Sequence, residues 1–128
     1  MPPALRIDGA RFTDRLSREV ILRGINVSGD SKLPSNPVLP SREEEGFWDG
    51  DHVSFVGRPF SLSNAPEHFA RLRSWGYDTA RYVFTWEALE HSGPGIYDEE
   101  FVQHTIATLR IAGEHGIKVL MDPHQDVV

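Results

Sequence analysis

Twice in this chain a helical repeat of apolar residues stops at a glycine and gives way at once to a β-rich run. Phe69, Leu72 and Trp75 recur at helical spacing up to Gly76, and Tyr77 to Trp86 follows, with Thr79-Ala80-Arg81-Tyr82-Val83-Phe84 at its centre. Phe101, Thr105, Leu109 and Ala112 mark a second face up to Gly116, and the buried-strand pattern Ile117 to Met121 follows. Glycine in that place supplies the left-handed backbone that ends a helix, and the change of hydrophobic period marks the change of element. An earlier run, Glu19 to Val27, contains Val20-Ile21-Leu22 and reads as a strand buried on both faces. The order is therefore strand, long loop, helix, strand, helix, strand. A strand followed by a helix and another strand in one sheet must pair in parallel, with a right-handed crossover. That leaves an α/β barrel or a doubly wound sheet as the architecture.

Local signals sharpen the boundaries. Asp8-Gly9 between Leu5-Arg6-Ile7 and Ala10-Arg11-Phe12 predicts a hairpin over residues 5–13. Asn64 or Ser63 is placed to cap the first helix, with Glu67 at capping-box spacing from Asn64 and Pro66 in the first turn. Asp98 is placed to cap the second. Between strand and helix, residues 30–62 form a long loop. It carries Pro34, Pro37, Pro40 and Pro59, the acidic run Glu43-Glu44-Glu45, and the aromatics Phe47, Trp48, Phe55 and Phe60. Loops this long in compact domains usually shape a site, and the aromatics favour a packed loop over a linker.

Composition excludes more than it assigns. A net charge of -6 argues against nucleic acid as a partner. With no cysteine there is neither a disulfide framework nor a thiolate metal site. No Gly-x-Gly-x-x-Gly or Walker sequence opens either helix, so a nucleotide-binding sheet has no support. Neither a signal peptide nor a membrane span is legible, and a cytoplasmic location is the expectation. Asn26-Val27-Ser28 matches a glycosylation sequon and is read as coincidence.

Chemistry concentrates after the last strand, at Asp122-Pro123-His124-Gln125-Asp126. An imidazole, an amide and two carboxylates are costly to place beside a core and are usually there for reaction or recognition. A (β/α)8 barrel typically takes about 250 residues, and three strands would leave its sheet open. The expectation is a fragment: a single, incomplete domain over residues 1–128, with the βα units in 63–128. Apolar faces left uncovered on both helices would make it sticky or molten in isolation.

Four segments, in order, resemble one family: Leu22-Arg23-Gly24-Ile25-Asn26 with Ser31-Lys32-Leu33-Pro34, then His68 to Gly76, then Arg81 to Glu90, then Asp122 to Val127. Together they are similar to the N-terminal third of glycoside hydrolase family 5, in its endoglycoceramidase-like branch, which includes fungal enzymes cleaving glucosylceramide or steryl glucosides. The resemblance runs from about Leu5 onward. It implies that this α/β chain is the N-terminal portion, about three βα units, of a (β/α)8 TIM barrel preceded by a small hairpin. It implies retaining hydrolysis of a β-glycosidic bond in a glycolipid, with a glucosylceramide or steryl β-glucoside as substrate. It also implies peripheral membrane contact by the full-length enzyme, and neither a metal nor any other cofactor. Retention needs two carboxylates roughly 5 Å apart. In the family these are glutamates after the fourth and seventh strands, so this chain is expected to hold no catalytic residue and to be inactive alone. The chain departs from the family at Val128, where a tryptophan usually follows Asp-Val. A non-catalytic carbohydrate- or lipid-binding module and a non-functional truncated product are the alternatives.

The resemblance carries roles to single residues. Arg81 falls at the arginine that orients the nucleophile, a task suited to the fixed fork of a guanidinium; the residues alone fit a structural ion pair. His124 falls at the histidine that contacts a sugar hydroxyl, as an imidazole both donating and accepting can. Asp126 would be a second sugar ligand, or a cap of the next helix, and Lys32 either reaches substrate hydroxyls or is a solvated lysine. Asn26 lines the barrel mouth or satisfies a turn, and Trp86 borders a sugar or packs in the core. Gln125 supports a neighbour and Asp122 fixes the turn before proline. His91, His104 and His115 read as surface histidines, and Glu87 and Glu90 as the solvent side of a short helical turn.

Overall fold

The computed structural model of this chain describes residues 5–35 and 53–124. An antiparallel hairpin pairs β1 (Arg6–Asp8) with β2 (Arg11–Thr13). The register sets Asp8 opposite Arg11, so the two-residue turn is Gly9-Ala10, one position later than the Asp8-Gly9 expected from sequence. Gly9 takes the left-handed φ of 59° that the turn requires.

A separate sheet of three parallel strands follows, in the order β3 (Gly24–Val27), β4 (Thr79–Thr85), β5 (Lys118–His124). The helices α1 (Ala65–Ser74) and α3 (Glu99–Glu114) connect them, and a short α2 (Trp86–Glu90) follows β4. Pairing sets Asn26 beside Arg81 and Arg81 beside Leu120. Because side chains alternate along a strand, Ile25, Val27, Ala80, Tyr82 and Val119 share one face. They meet Ala65, Phe69, Leu72, Ile111, Ala112 and Ile117 in a single core. Burial there pushes the Tyr82 phenol above its ordinary pKa.

Several expectations are corrected. The strand read over Glu19 to Val27 is only its last four residues. Val20 N donates instead to Phe12 O at 2.8 Å and Glu19 bridges Thr13, so this run extends the hairpin, and Ile21 is 80% exposed. The strand read as buried at Ile117 to Met121 is an edge strand shifted to Lys118–His124. Its Leu120 is 61% exposed, because it lies on the face away from the helices. Asn64 precedes α1 but its side chain makes no capping bond: its φ and ψ of -90° and -18° are already helical, and Glu67 turns to Arg71 instead. Trp75 is exposed because steps of three residues fall about 60° short of a turn each time, carrying it off the Phe69 face. Asp98 caps α3 as expected, accepting from Phe101 N at 2.9 Å, and Gly76 and Gly116 take positive φ.

The long loop is anchored at both described ends, while Glu43, Glu44, Glu45, Phe47 and Trp48 lie outside the described residues. Ser35 N donates to Ser54 O at 2.7 Å, and Val56 N donates to Ser35 Oγ at 3.2 Å. A 3-10 turn at Gly29–Lys32 rests against β4, with Ser31 Oγ donating to Val83 O at 3.0 Å. Phe60 meets the Phe69 ring edge-on at 5.6 Å. Two glycines allow the loop ends to touch backbone to backbone. A Cβ at Gly29, whose φ is 43°, would stand 2.0 Å from Pro59 O, and one at Gly57 would stand 2.4 Å from Asp30 O.

At the N-terminal end of the sheet, Asp78 ties all three strands. Its Oδ1 accepts from Arg23 N at 2.9 Å and from Thr79 Oγ1 at 2.8 Å, and its Oδ2 lies 3.9 Å from Lys118 Nζ. Burial opposes ionisation, but the hydrogen bonds from Thr79 and Arg23 and the charges of Lys118 and Arg73 outweigh it, so the pKa is lowered.

Two outcomes follow. Gly29→Ala should lower the midpoint of urea unfolding by an amount equivalent to about 2–3 kcal/mol, from overpacking and forced left-handed backbone; an unchanged midpoint would contradict the close approach to Pro59. Asp78 binds protons less tightly folded than unfolded, so the stability it contributes is fully present above the unfolded value of 3.8 and is lost as pH falls through the folded one. Asp78→Asn should therefore flatten the acid limb of a melting-temperature profile.

Candidate functional site

The face of the sheet turned away from the helices carries polar side chains toward its C-terminal end. Asn26, Arg81, Leu120, Val83, Asp122, Thr85 and His124 all belong to it by register. Arg81 sits in mid-sheet, and its Nη1 donates to Asn26 Oδ1 at 3.4 Å. On the other side, Arg81 Nη2 stands 2.7 Å from Asp122 Oδ2. The same oxygen lies 3.2 Å from His124 Nδ1. His124 Nε2 in turn is 3.0 Å from Lys32 Nζ, which reaches across from the turn after β3. Asn26, Arg81, Asp122, His124 and Lys32 thus form one continuous polar row across all three strands.

The roles of the two ring nitrogens depend on the tautomer: a ring protonated on Nδ1 turns that hydrogen toward the carboxylate and leaves Nε2 to accept from Lys32. Neither Arg81 nor His124 aims in line at Asp122 Oδ2, so the contacts are made by charge and proximity rather than ideal hydrogen bonds. The Arg81 and Asp122 side chains are 38% and 23% exposed. An ion pair between side chains this accessible stabilises a fold by about 1 kcal/mol at most, although Asp122 Oδ2 itself is buried. Leu22, Gly24, Ile25, Asn26, Thr79, Arg81 and Leu120 line an open trough of about 470 Å³ along this face.

Four residues expected from sequence, Arg81, His124, Lys32 and Asn26, are brought together, while Asp126 and Gln125 lie outside the described residues. Asp122, read as a turn former, stands at the centre of the row. The signal was available: it lies two residues before His124, hence on the same face of a strand. Trp86 is not in the core. It is 62% exposed beyond β4, with Nε1 donating to Glu90.

The residues after β4 also differ from their surface reading. Thr85 caps α2, accepting from Ala88 N at 3.1 Å, and its hydroxyl donates to Phe55 O. Glu87 is not a solvent-side residue. Its carboxylate accepts from Ser54 Oγ and from Phe55 N, the latter at 2.8 Å, and so fastens the returning loop beside the strand end. Glu90 accepts from Gly95 N. Of the three histidines read as superficial, His115 bonds Ile111 O at 2.9 Å and His91 lies 3.7 Å from Asp98. His104 is half-buried on α3, and burial together with the Arg58 charge holds its pKa low against the opposing pull of Glu100. Among the described residues no cluster of three or more His, Asp or Glu has the geometry to hold a metal ion. Nor is any helix there long and apolar enough to cross a membrane.

Residues 41–128 match the family described as Cellulase (glycosyl hydrolase family 5). The chain belongs to glycosyl hydrolase family 5. Within the family it is similar to a glucosylceramidase of Aspergillus fumigatus, 60% identical over 96% of this chain and 16% of that protein. It is similar also to an ergosteryl-beta-glucosidase of Saccharomyces cerevisiae, 40% identical over 99% of this chain and 18% of that protein. Among solved structures, Cryptococcus neoformans sterylglucosidase 1 superposes with a TM-score of 0.78 at 44% identity, covering 98% of this chain and 18% of that one. The chain therefore spans less than a fifth of the length of these family members.

The Glu87 anchor is directly testable. Glu87→Ala should raise the exchange rate of the Phe55 amide by at least about tenfold, since it removes a hydrogen bond to a charged acceptor. Unchanged exchange at Phe55 would mean that the loop end is held by other contacts.

Proposed function

We propose that this chain forms the opening portion of a (β/α)8 barrel and one wall of the sugar-binding end of a retaining β-glycosidase that acts on lipid-linked β-glucosides, glucosylceramide or a steryl glucoside. The observation that carries this reading is the polar row at the C-terminal ends of three parallel strands, where barrels keep their active sites. Family membership and the similarity to a glucosylceramidase and an ergosteryl-beta-glucosidase support the substrate class.

In this reading the two carboxylates of the double displacement come from later strands of the complete protein. One attacks the anomeric carbon, and the other protonates the leaving oxygen and then activates water. Arg81 faces the barrel interior from mid-sheet, where a guanidinium holds a neighbouring carboxylate ionised and aimed. Lys32 and His124 place an ammonium donor directly against an imidazole nitrogen at 3.0 Å, a pair that a sugar hydroxyl displaces by accepting from the one and donating to the other. In the same reading Asp126, outside the described residues, is a second sugar ligand. The chain supplies recognition and electrostatics, and the bond-breaking pair lies elsewhere.

The natural gene product, purified and given glucosylceramide and ergosteryl β-glucoside separately, should release glucose from at least one of them, with the β-anomer as first product by NMR. Arg81→Ala should lower kcat/KM by about 100-fold or more, the usual cost of removing one preorganised electrostatic group. Release of the α-anomer first would exclude the double displacement, and no hydrolysis of either lipid would exclude the substrate class.

A further inference from the structure

We propose that Asp122 is the positioning residue of this site: one of its oxygens, Oδ2, holds the Arg81 guanidinium and selects the His124 tautomer protonated on Nδ1. The inference rests on the glycosidase reading for its catalytic consequence, but its structural basis is independent of it. Two groups from adjacent strands converge on a single oxygen, Arg81 Nη2 at 2.7 Å and His124 Nδ1 at 3.2 Å. Register makes this convergence possible. Val83 is the pairing partner of Asp122, so Asp122 lies two residues further along the sheet than the level of Arg81, and His124 stands one same-face position beyond.

The consequence falls on the substrate side of the imidazole. With the proton held on Nδ1, Nε2 keeps its lone pair and faces Lys32 Nζ at 3.0 Å. A sugar hydroxyl that displaces Lys32 from Nε2 finds an acceptor in the ring nitrogen and keeps the ammonium beside it as a donor. With the other tautomer Nε2 would donate, two donors would face each other, and the hydroxyl would lose its acceptor. Asp122 thereby controls recognition through His124 and, through Arg81, the place of the guanidinium that steadies the nucleophile. A histidine oriented by a carboxylate behind it is a general device, and behind metal-ligating histidines removing that carboxylate costs roughly 10- to 100-fold in affinity or activity.

Asp78 provides an internal control. It is also a carboxylate bridging strands of this sheet, but at the opposite end. In the full natural gene product, with 15N-labelled histidine and His124 assigned by His124→Gln, the ring of the unaltered protein should show protonated Nδ1 and unprotonated Nε2. Asp122→Asn and Asp122→Ala should shift the ring toward the Nε2-protonated form, more so for alanine, because the asparagine oxygen still accepts but carries no charge. Both should lower kcat per folded enzyme by roughly 10- to 100-fold, with KM changing less than kcat. Asp78→Asn should leave tautomer and kcat unchanged while altering stability. If the alanine variant does not fold, the asparagine variant decides. An unchanged tautomer and kcat in Asp122→Asn would overturn the positioning role, as would equal effects from Asp78→Asn. A gene product that hydrolyses no lipid glucoside would overturn the substrate reading, and the tautomer measurement would still decide the role of Asp122.

Discussion

The parallel register of β3, β4 and β5 is the constraint on which everything else in this chain depends. Each strand presents alternate residues to opposite faces, so a pairing that aligns Asn26, Arg81 and Leu120 also aligns Val27, Tyr82 and Met121. A slip of one residue between β4 and β5 would send Asp122 and His124 toward the helices and bring Leu120 into the core. The core of Phe69, Ala80, Tyr82, Ala112 and Ile117 holds the register in place, and the polar row is its consequence on the other face.

Carboxylates secure the sheet at both ends, in different ways. Asp78 acts at the N-terminal end, collecting a backbone amide, a hydroxyl and a more distant ammonium, which is why its pKa is lowered despite burial. Asp122 acts at the C-terminal end, where its partners are the side chains of Arg81 and His124 instead of backbone. The first arrangement ties the strand starts to one another, whereas the second gathers side chains alone. The long loop is fastened beside that second end by Glu87, Thr85 and the glycine contacts at Gly29 and Gly57.

Much of this was legible from residues alone. The glycine-stopped helices, the cap at Asp98 and the strand–helix alternation were read correctly because each depends on a few neighbouring residues. Arg81 stood out through the family resemblance, and His124 through that and its place in a polar cluster read after the last strand. Asp122 was passed over, because proline after it suggested a turn and one of its two partners, Arg81, lies far away in sequence. Glu87 was misjudged for the same reason: the amide it holds is Phe55 N, over thirty positions earlier. The run at Val20-Ile21-Leu22 misled in the opposite sense, since apolar content marked a buried strand where the chain in fact extends the edge of a hairpin.

The sequence by itself determined the elements, their order and therefore a parallel sheet, since helical and strand periods and chain reversal are local properties. The motif resemblance in its segments pointed to the family to which the chain belongs. Only the tertiary structure decided which polar residues meet. Cross-strand neighbours such as Arg81 and Asp122, or Lys32 and His124, are joined by register and by the path of a turn, and neither of these is written in the spacing of residues along one segment.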